Sequence, residues 1–287
     1  MPGTLFVVAT PIGNLEDLTF RALRTLREVD LIAAEDTRRT SRLLAHYDVR
    51  KPLVSLREHN EARESPRLVE RLTRGESIAL VSDAGTPGIS DPGQLLVRTA
   101  RAAGIKIVPV PGPSAITAAL SVSGLAGEAG FVFAGFPPPS GSARTAWFEE
   151  LQSESRAIVF FEAPHRIQRT RADADLFFVN RPILYAREMS KINENLVYKR
   201  NSSHSEAKQP DDRGEYVVII GPRDETATEA MASEVANIFG LITEHVIQDQ
   251  NAGIVATAAI LGLHERQVRK ALKQARFSAK RAEDATS

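Results

Sequence analysis

Short apolar runs rich in β-branched residues alternate with amphipathic, helix-like stretches, and this alternation limits the fold more than any other feature of the chain. The runs are four or five residues long, which is typical of strands buried on both faces of a parallel sheet. They occupy residues 5–9, 31–34, 78–82 and 107–110. Helical segments such as 18–27 and 64–74 fit between them, so the sequence predicts an α/β domain over residues 1–113.

A second block continues the pattern, and a third block breaks it. We expect further strands at residues 131–136, 157–161, 183–187 and 216–220. The polar, turn-rich segment 201–213 is typical of a hairpin tip. Beyond residue 224, Ala, Leu and charged residues follow helical spacing with no strand pattern. The sequence therefore predicts a second α/β domain over 114–224 and a small helical tail over 225–287.

Composition excludes several classes of function. The 287 residues include no cysteine, which excludes disulfides, thiolate zinc sites and cysteine nucleophiles, and the six histidines are scattered, so we expect no bound metal. Lys and Arg together number 36, as do Asp and Glu, which excludes an overall basic surface but not a local patch. No signal-peptide pattern and no long uncharged run is present, which predicts a cytoplasmic protein.

Three loops that follow predicted strands are rich in Gly and Pro. They cover residues 10–15, 82–93 and 109–115. The carboxyl ends of parallel strands share one edge of a sheet, and ligands of open α/β sheets bind there. Common nucleotide and hydrolase motifs (Gly-x-Gly-x-x-Gly, the Walker loop and Gly-x-Ser-x-Gly) are absent. The loops therefore predict a ligand pocket that differs from an ordinary Rossmann site.

Long and unusual motifs carry a resemblance to one family. They are Val8-Ala9-Thr10-Pro11-Ile12-Gly13-Asn14, Ala34-Glu35-Asp36-Thr37-Arg38, Glu58-His59-Asn60, residues 82–93 and Phe161-Glu162-Ala163-Pro164-His165-Arg166. In this order they resemble the ribosomal RNA small-subunit methyltransferase I family of the tetrapyrrole methylase superfamily. The resemblance covers about residues 4–223. It departs from the family pattern near residue 180, where a glycine is usual, and at residues 189–190 and 193–195.

The resemblance implies two α/β domains with S-adenosyl-L-methionine bound in the cleft between them. It implies methyl transfer to the ribose 2'-hydroxyl of a cytidine in the decoding region of 16S ribosomal RNA, and a homodimer. Carried over position by position, it assigns the cofactor contacts to Pro11, Asp83, Ala84, Gly85, Ile89, Ser90, Ser114, Ala115, Glu162, Ala163, Ala186, Arg187, Gly214 and Glu215. Small residues dominate this set, which indicates that the backbone supplies most of the contacts.

A ribose hydroxyl is a weak nucleophile, so the reaction needs a nearby base or close alignment of the reacting atoms. The candidate groups are Glu58, His59, Glu188 and Lys191, of which we assign Glu58, His59 and Lys191 to catalysis. The imidazole of His59 could accept a proton, whereas Lys191 could act as a base only with a lowered pKa and otherwise suits phosphate. Catalysis by positioning alone stays an alternative.

Basic residues concentrate in two segments. Residues 38–74 hold ten Lys or Arg against five Asp or Glu, and residues 264–281 hold seven against one. Such patches suit phosphate contacts, although part of each patch could be a solvated helix face. We expect RNA contacts from Arg38, Arg39, Arg266, Arg269, Lys270 and Lys273. Residues 256–269 also have the pattern of a helix-turn-helix module.

Two other functions stay open from the sequence. One is a small-molecule methylase of the same superfamily that acts on a tetrapyrrole. The other is a DNA-binding regulator that senses a ligand in its α/β part and binds DNA through the tail. The basic patches favour the ribosomal RNA enzyme over the first alternative, and the position of all specific motifs in the α/β part argues against the second.

Overall fold

A computed structural model describes residues 1–199, 213–223, 225–247, 249–261 and 263–286. Within this part of the chain, the residues cluster into two compact units. The first comprises Met1–Val122 and Ala186–Asn195, and the second comprises Ser123–Tyr185 and Leu196–Ser287. The helical tail thus clusters with the second sheet, and a short segment after residue 185 clusters with the first. Most of the predicted hairpin tip, residues 201–212, lies outside the described residues.

The first unit is built on a five-stranded parallel sheet. Its strands are β1 Thr4–Val8, β2 Leu31–Ala34, β3 Leu53–Ser55, β4 Ile78–Val81 and β5 Lys106–Val110. Its helices are α1 Phe20–Glu28, α2 Thr37–His46, α3 Glu61–Thr73, α4 Gln94–Ala102 and α5 Ala115–Ser123, of which the last residue falls in the second unit. The strand order is β3-β2-β4-β1-β5, and neighbouring strands pair in parallel.

All four predicted strands of this sheet are confirmed within one or two residues. Every residue of β2 and β4 is buried, because apolar clusters pack on both faces of the sheet. The sequence analysis missed β3, which is three half-buried residues long and too short for a periodic signal. The three glycine-rich loops therefore follow β1, β4 and β5, all at the carboxyl edge.

The second unit is built on a five-stranded sheet with the order β6-β7-β10-β8-β9. Its strands are β6 Phe131–Phe133, β7 Ala157–Glu162, β8 Ile183–Arg187, β9 Asn195–Lys199 and β10 Tyr216–Ile220. Its helices are α6 Gly141–Gln152, α7 Ile167–Phe177, α8 Glu225–His245, α9 Gln250–Leu261 and α10 Glu265–Thr286. The sheet is mixed, because β7 runs parallel to β6 and antiparallel to β10. The strand β9 was missed, since its apolar run, Leu196-Val197-Tyr198, is only three residues long and is flanked by Asn195 and Lys199.

The tail is helical, as its composition indicates. Helices α8, α9 and α10 bury a small apolar cluster of their own, which includes Val235, Ile254 and Val268. The division of the chain into three domains stays a prediction, since compactness separates only two units.

Candidate functional site

The three loops at the carboxyl edge of the first sheet are joined by hydrogen bonds. Thr10 and Gly85 exchange two backbone bonds of 2.9 and 3.0 Å, and the Thr10 hydroxyl donates to the Ser82 carbonyl at 3.2 Å. The Thr86 hydroxyl donates to the Pro113 carbonyl at 3.3 Å. The loops after β1, β4 and β5 therefore form one continuous edge.

Two features fix the shape of the loop after β4. Gly85 has a φ of +78°, a left-handed conformation that side-chain-bearing residues rarely adopt. At the other end of the loop, the Glu61 carboxylate accepts hydrogen bonds from the amides of Gly93 and Leu95 at 3.0 and 2.7 Å, where α4 begins. Glu61 thus satisfies amides that have no partner within the helix, and an acid at this end also suits the helix dipole. Sequence reasoning missed this role, because Glu61 lies 32 residues before the loop that it holds.

Three half-buried carboxylates meet at this edge. Glu35 accepts a hydrogen bond from the Asp83 amide at 3.2 Å, and Asp83 accepts one from the Asp36 amide at 3.0 Å. Burial raises the pKa of Glu35, with the charge of Asp83 acting in the same direction. Burial, and then the charge of Glu35, raises the pKa of Asp91 to about 6. Negative charge is therefore held here with incomplete compensation, which favours a cationic ligand.

A cavity of about 670 Å³ opens on these carboxylates. Five of the residues expected in the site line it, namely Arg38, Glu58, His59, Asp83 and Ser90. Glu58 and His59 are exposed and belong to a turn in which the Asn60 side chain accepts from the Arg57 amide at 2.7 Å. The structure therefore brings two of the three expected catalytic residues to the cavity that contains Asp83.

Lys191 lies elsewhere in the first unit. Its ammonium group pairs with Glu188 at 2.9 Å, and its side chain packs on Gly13, where an added Cβ would stand 2.2 Å from the Lys191 Cγ. The Ser190 hydroxyl bonds to the Asp17 carboxylate. Segment 188–191 is thereby fastened to the loop after β1, apart from Glu58 and His59.

The remaining expected cofactor residues of the first unit surround the same edge. Ser114 lines a cavity of about 560 Å³ together with Thr19 and Ser190, and Ala115 starts α5 beside it. Pro11 lines a smaller cavity of about 270 Å³ with Asp83 and Arg39. Ala84, Ile89 and Ser90 are exposed on the loop after β4.

In the second sheet, strand register brings together four of the expected cofactor residues. Tyr216 at the start of β10 pairs with Glu162 at the end of β7, so Gly214 and Glu215 lie beside Glu162 and Ala163. Ala186 and Arg187 end β8, which neighbours β10 in the sheet. These six positions stay predictions as cofactor contacts.

The Glu162 carboxylate is enclosed by donors from its own unit. Its side chain is 0% exposed and contacts Arg166 at 2.7 Å, Arg144 at 3.4 Å and the Thr170 hydroxyl at 2.5 Å. It also accepts the Ala163 amide at 2.8 Å. Arg144 and Arg166 in turn donate to the carbonyls of Pro138 and Pro137 at 2.9 and 3.2 Å, in the loop before α6. Glu162 is therefore a structural anchor, and any cofactor contact it makes is through its backbone.

The expected RNA-binding residues differ in their exposure to solvent and in the ion pairs that they already form. Arg38 is 80% exposed and pairs with Asp36 at 2.9 Å, and Arg39 pairs with Asp83 at 3.3 Å.

In the tail, Arg266 pairs with Glu149 and stands 5.0 Å over the Phe177 ring. Desolvation, and then the charges of Arg223, Arg181 and Arg266, lower the pKa of the partly exposed Lys270 to about 8. Arg269, which bonds Asn251 at 2.9 Å, and Lys273 are exposed.

The described residues lack two features, a membrane-spanning helix and a metal-binding cluster. None of the helices is long and apolar enough to cross a membrane. Among the same residues, no group of three His, Asp or Glu side chains stands close enough to hold a metal ion.

Comparison with known families and proteins identifies relatives of this chain. The model of the tetrapyrrole (corrin/porphyrin) methylases matches residues 4–203. The ribosomal RNA small subunit methyltransferase I of Xylella fastidiosa is 47% identical over 260 residues, which cover 89% of this chain and 94% of that protein. The same-named protein of Pseudomonas aeruginosa is 44% identical over 261 residues, with coverages of 88% and 92%.

Solved structures agree in fold. A diphthine synthase matches with a TM-score of 0.58 and 17% identity, over 76% of this chain and 89% of that one. A uroporphyrin-III-C-methyltransferase from Thermus thermophilus matches with a TM-score of 0.51 and 20% identity, over 79% and 100%. At these identities the likeness concerns the fold alone.

Proposed function

The chain belongs to the ribosomal RNA small subunit methyltransferase I family of the tetrapyrrole methylases, and from this we propose that it is an S-adenosyl-L-methionine-dependent methyltransferase of small-subunit ribosomal RNA. Identity above 40% over nearly the whole chain carries the proposal. The finer assignment is transfer to the ribose 2'-hydroxyl of a cytidine in the decoding region of 16S RNA. It rests on the motifs of the loops after β1, β2, β3, β4 and β7.

The carboxyl edge of the first sheet fits this cofactor. S-adenosyl-L-methionine carries a sulfonium and an ammonium cation, and the half-buried Glu35, Asp83 and Asp91 provide negative charge with incomplete compensation. Gly85 holds this loop in place, since its amide and carbonyl both bond Thr10 and its φ of +78° suits glycine. Pro11, Ala84, Ile89, Ser90 and Ser114 lie around the same edge.

The bound cofactor supplies an electrophilic methyl group, and the residues of the chain provide alignment and proton transfer. With the cofactor bound, the ribose oxygen would take the methyl group while the sulfonium leaves as a neutral thioether, and the hydroxyl proton would need an acceptor beside that oxygen. The imidazole of His59 and the carboxylate of Glu58 line the 670 Å³ cavity and are the groups we assign to this step. Lys191 is held by Glu188 and suits phosphate contact.

The two alternative functions lose support. A tetrapyrrole substrate is disfavoured, because the relatives with high identity are named as ribosomal RNA methyltransferases, whereas the uroporphyrin enzyme shares only 20% identity. A DNA-binding regulator is disfavoured by the same relatives, and α10 directs Arg266 onto the second unit itself.

The tail provides a secondary RNA contact in this proposal. Arg269 and Lys273 point to that role, because both are exposed on α10. Arg266 suits it less, since it already pairs with Glu149 and stacks on Phe177. We further propose a homodimer and a cytoplasmic location, where small ribosomal subunits are assembled.

Transfer of a labelled methyl group tests the function. The full chain is incubated with labelled S-adenosyl-L-methionine and small ribosomal subunits from cells that lack the enzyme, and the labelled nucleotide is mapped. We expect one 2'-O-methylated cytidine in 16S RNA. Label on a base, or no label in RNA, would contradict the proposal.

A double variant tests the cofactor edge separately. Asp83→Ala with Gly85→Val removes a carboxylate and places a β-branched residue at a φ of +78°. We expect S-adenosyl-L-methionine to bind at least about tenfold more weakly, which is about 1.4 kcal/mol. Unchanged affinity by calorimetry, in a variant whose circular dichroism matches that of the wild type, would remove this loop from the cofactor site.

A further inference from the structure

Phe20 is the most exposed aromatic side chain in the described part of the chain. It opens α1 and is 94% exposed, while Ala22 and Leu26 on the same helix are buried in the core of the first unit. Burying α1 on the sheet therefore does not need Phe20, and a fully exposed phenyl ring is costly to hydrate. An exposed aromatic side chain that does not stabilise the fold is a candidate for binding another molecule.

The backbone places Phe20 beside the cofactor edge. Its neighbour Thr19 caps α1, since the Thr19 hydroxyl accepts from the Ala22 amide at 3.0 Å. The Thr19 methyl group also packs near Gly112, 3.7 Å from where a Cβ on that glycine would stand. Thr19 and Ser114 line the same 560 Å³ cavity. Phe20 is thus one residue away from a contact with the loop after β5.

Two arginines share the exposed surface of α1 with Phe20. Arg21 and Arg24 are exposed and are one helical turn apart, and Arg24 lies one turn after Phe20. Neither forms an ion pair with a described residue. Glu28, at the end of the helix, is the only acid on α1.

We propose that Phe20, Arg21 and Arg24 form a stacking platform for an unpaired stretch of the RNA substrate next to the methylated nucleotide. This inference rests on the proposed function. An exposed ring stacks on the face of any base, and neighbouring guanidinium groups contact the phosphates that follow. One base would lie on Phe20, with its backbone along the α1 surface that carries Arg21 and Arg24.

Charge selects RNA over a second copy of the chain as the partner of this surface. Arg21 and Arg24 outnumber Glu28, the only acid on α1, so a twofold dimer that joined two copies of this surface would bring together an excess of positive charge. A polyanion instead gains from both charges, and the gain depends on salt.

Substitutions at Phe20 distinguish stacking from general apolar contact. Affinity for unmethylated small subunits is measured for Phe20→Ala, Phe20→Leu and Phe20→Trp, with Phe131→Ala on β6 as the control for removing an exposed ring. We expect the dissociation constant to rise about tenfold for Ala and for Leu, and to stay near that of the wild type for Trp and for the control. If Ala matches the wild type, or if Leu restores binding as well as Trp, the platform is excluded.

The charges have a matched control on another helix. Arg98 and Arg101 on α4 are exposed with the same three-residue spacing. We expect Arg21→Gln with Arg24→Gln to flatten the salt dependence of RNA binding by about 0.7 for each lost phosphate contact, and Arg98→Gln with Arg101→Gln to leave it unchanged. Equal effects of the two pairs would overturn the proposal, as would a Phe20→Ala variant that dissociates a dimer without weakening RNA binding.

The wild type separates this inference from the function on which it rests. If the wild-type chain transfers no label to ribosomal RNA, the proposed function fails. If it transfers label and Phe20→Ala binds the subunit as well as the wild type, only the platform fails. Affinity for S-adenosyl-L-methionine should stay unchanged in every Phe20 variant, since the side chain points into solvent.

Discussion

Acidic residues lie at or beyond the carboxyl ends of strands in both sheets, but their surroundings differ. At the edge of the first sheet, Glu35 and Asp91 are half-buried with raised pKa values, and they repel each other and Asp83. At the end of β7 in the second sheet, Glu162 is fully buried and contacts two guanidinium groups, a hydroxyl and an amide.

This difference distinguishes acidic residues that can bind a ligand from one that stabilises the fold. The first group keeps charge that the protein has not neutralised, which an incoming cation can stabilise. The Glu162 carboxylate already accepts hydrogen bonds from groups of its own unit, so its charge is not available to a ligand. Residues that look alike in a motif therefore differ in role according to the cations around them.

The largest expected effect comes from breaking the buried contacts of Glu162. Arg144→Met removes a guanidinium that also bonds Asp173, Thr170 and the Pro138 carbonyl. Removing one partner of a buried ion pair leaves the other uncompensated, so we expect the free energy of unfolding to fall by about 3–5 kcal/mol. Urea unfolding followed by the fluorescence of Trp147, the only tryptophan, which packs on the apolar core of the second sheet, measures the loss. A loss below 1 kcal/mol would show that Glu162 is no anchor.

At the carboxyl edge of the first sheet, we expect a smaller change in the free energy of unfolding, and of the opposite sign. Asp91→Asn removes a carboxylate whose ionised form is disfavoured by burial and by Glu35. At pH 7 we expect this variant to be more stable by about 1–2 kcal/mol and to bind S-adenosyl-L-methionine more weakly. Urea unfolding followed by circular dichroism, together with calorimetry, tests both. A variant that loses stability would show that Asp91 serves the fold.

The contribution of Asp91 to stability should fall as the pH rises, which is the opposite of what an ion-paired carboxylate does. Because the pKa of Asp91 is raised to about 6 from its usual value near 4, its stabilising protonated state is complete only below about pH 4 and is lost as the pH rises through 6. The gap between Asp91→Asn and the wild type should therefore be widest above pH 7 and close near pH 4. Asp36→Asn is the control, since hydrogen bonds from Arg38 lower the pKa of Asp36, and this variant should instead lose stability near neutral pH.

The smallest effect is expected for an exposed ion pair. Arg74 pairs with Glu70 one turn earlier on α3, and both side chains are mostly in water. We expect Arg74→Gln to change the free energy of unfolding by less than about 0.5 kcal/mol, because solvent and salt screen such pairs. A change comparable to that of Arg144→Met would mean that burial does not decide how much an ion pair stabilises this protein.

Local patterns predicted most of the fold. The buried strands β1, β2, β4, β7 and β10 carry apolar runs that are readable without neighbours. The strands β3 and β9 exist because adjacent strands pair with them, so their own three to five residues carry little signal. At position 180, Asn adopts a φ of +64° where the family has glycine, which is a conformation that Asn tolerates.

The site was less predictable, because its electrostatics arise from distant segments. The sequence grouped Glu58 and His59 with Asp83 through a resemblance, and they line one cavity. No spacing indicated that Glu61 would cap α4, or that Arg144 would reach Glu162 from 18 residues away. The exposure of Phe20 also depends on which face of α1 the sheet covers, which the sequence alone leaves open.

The segment Ala186–Asn195 has a consequence for how the protein is made. The strands of the first sheet are complete once residue 110 has been synthesised, but Lys191 and Ser190 reach Gly13 and Asp17 only after β8 has been translated. Chains fold from the N-terminus as they are synthesised, so the first unit begins to fold before the segment Ala186–Asn195 is available. A fragment ending at residue 122 would preserve that intermediate, and no cut between the two units yields a continuous piece of chain that contains the whole first unit.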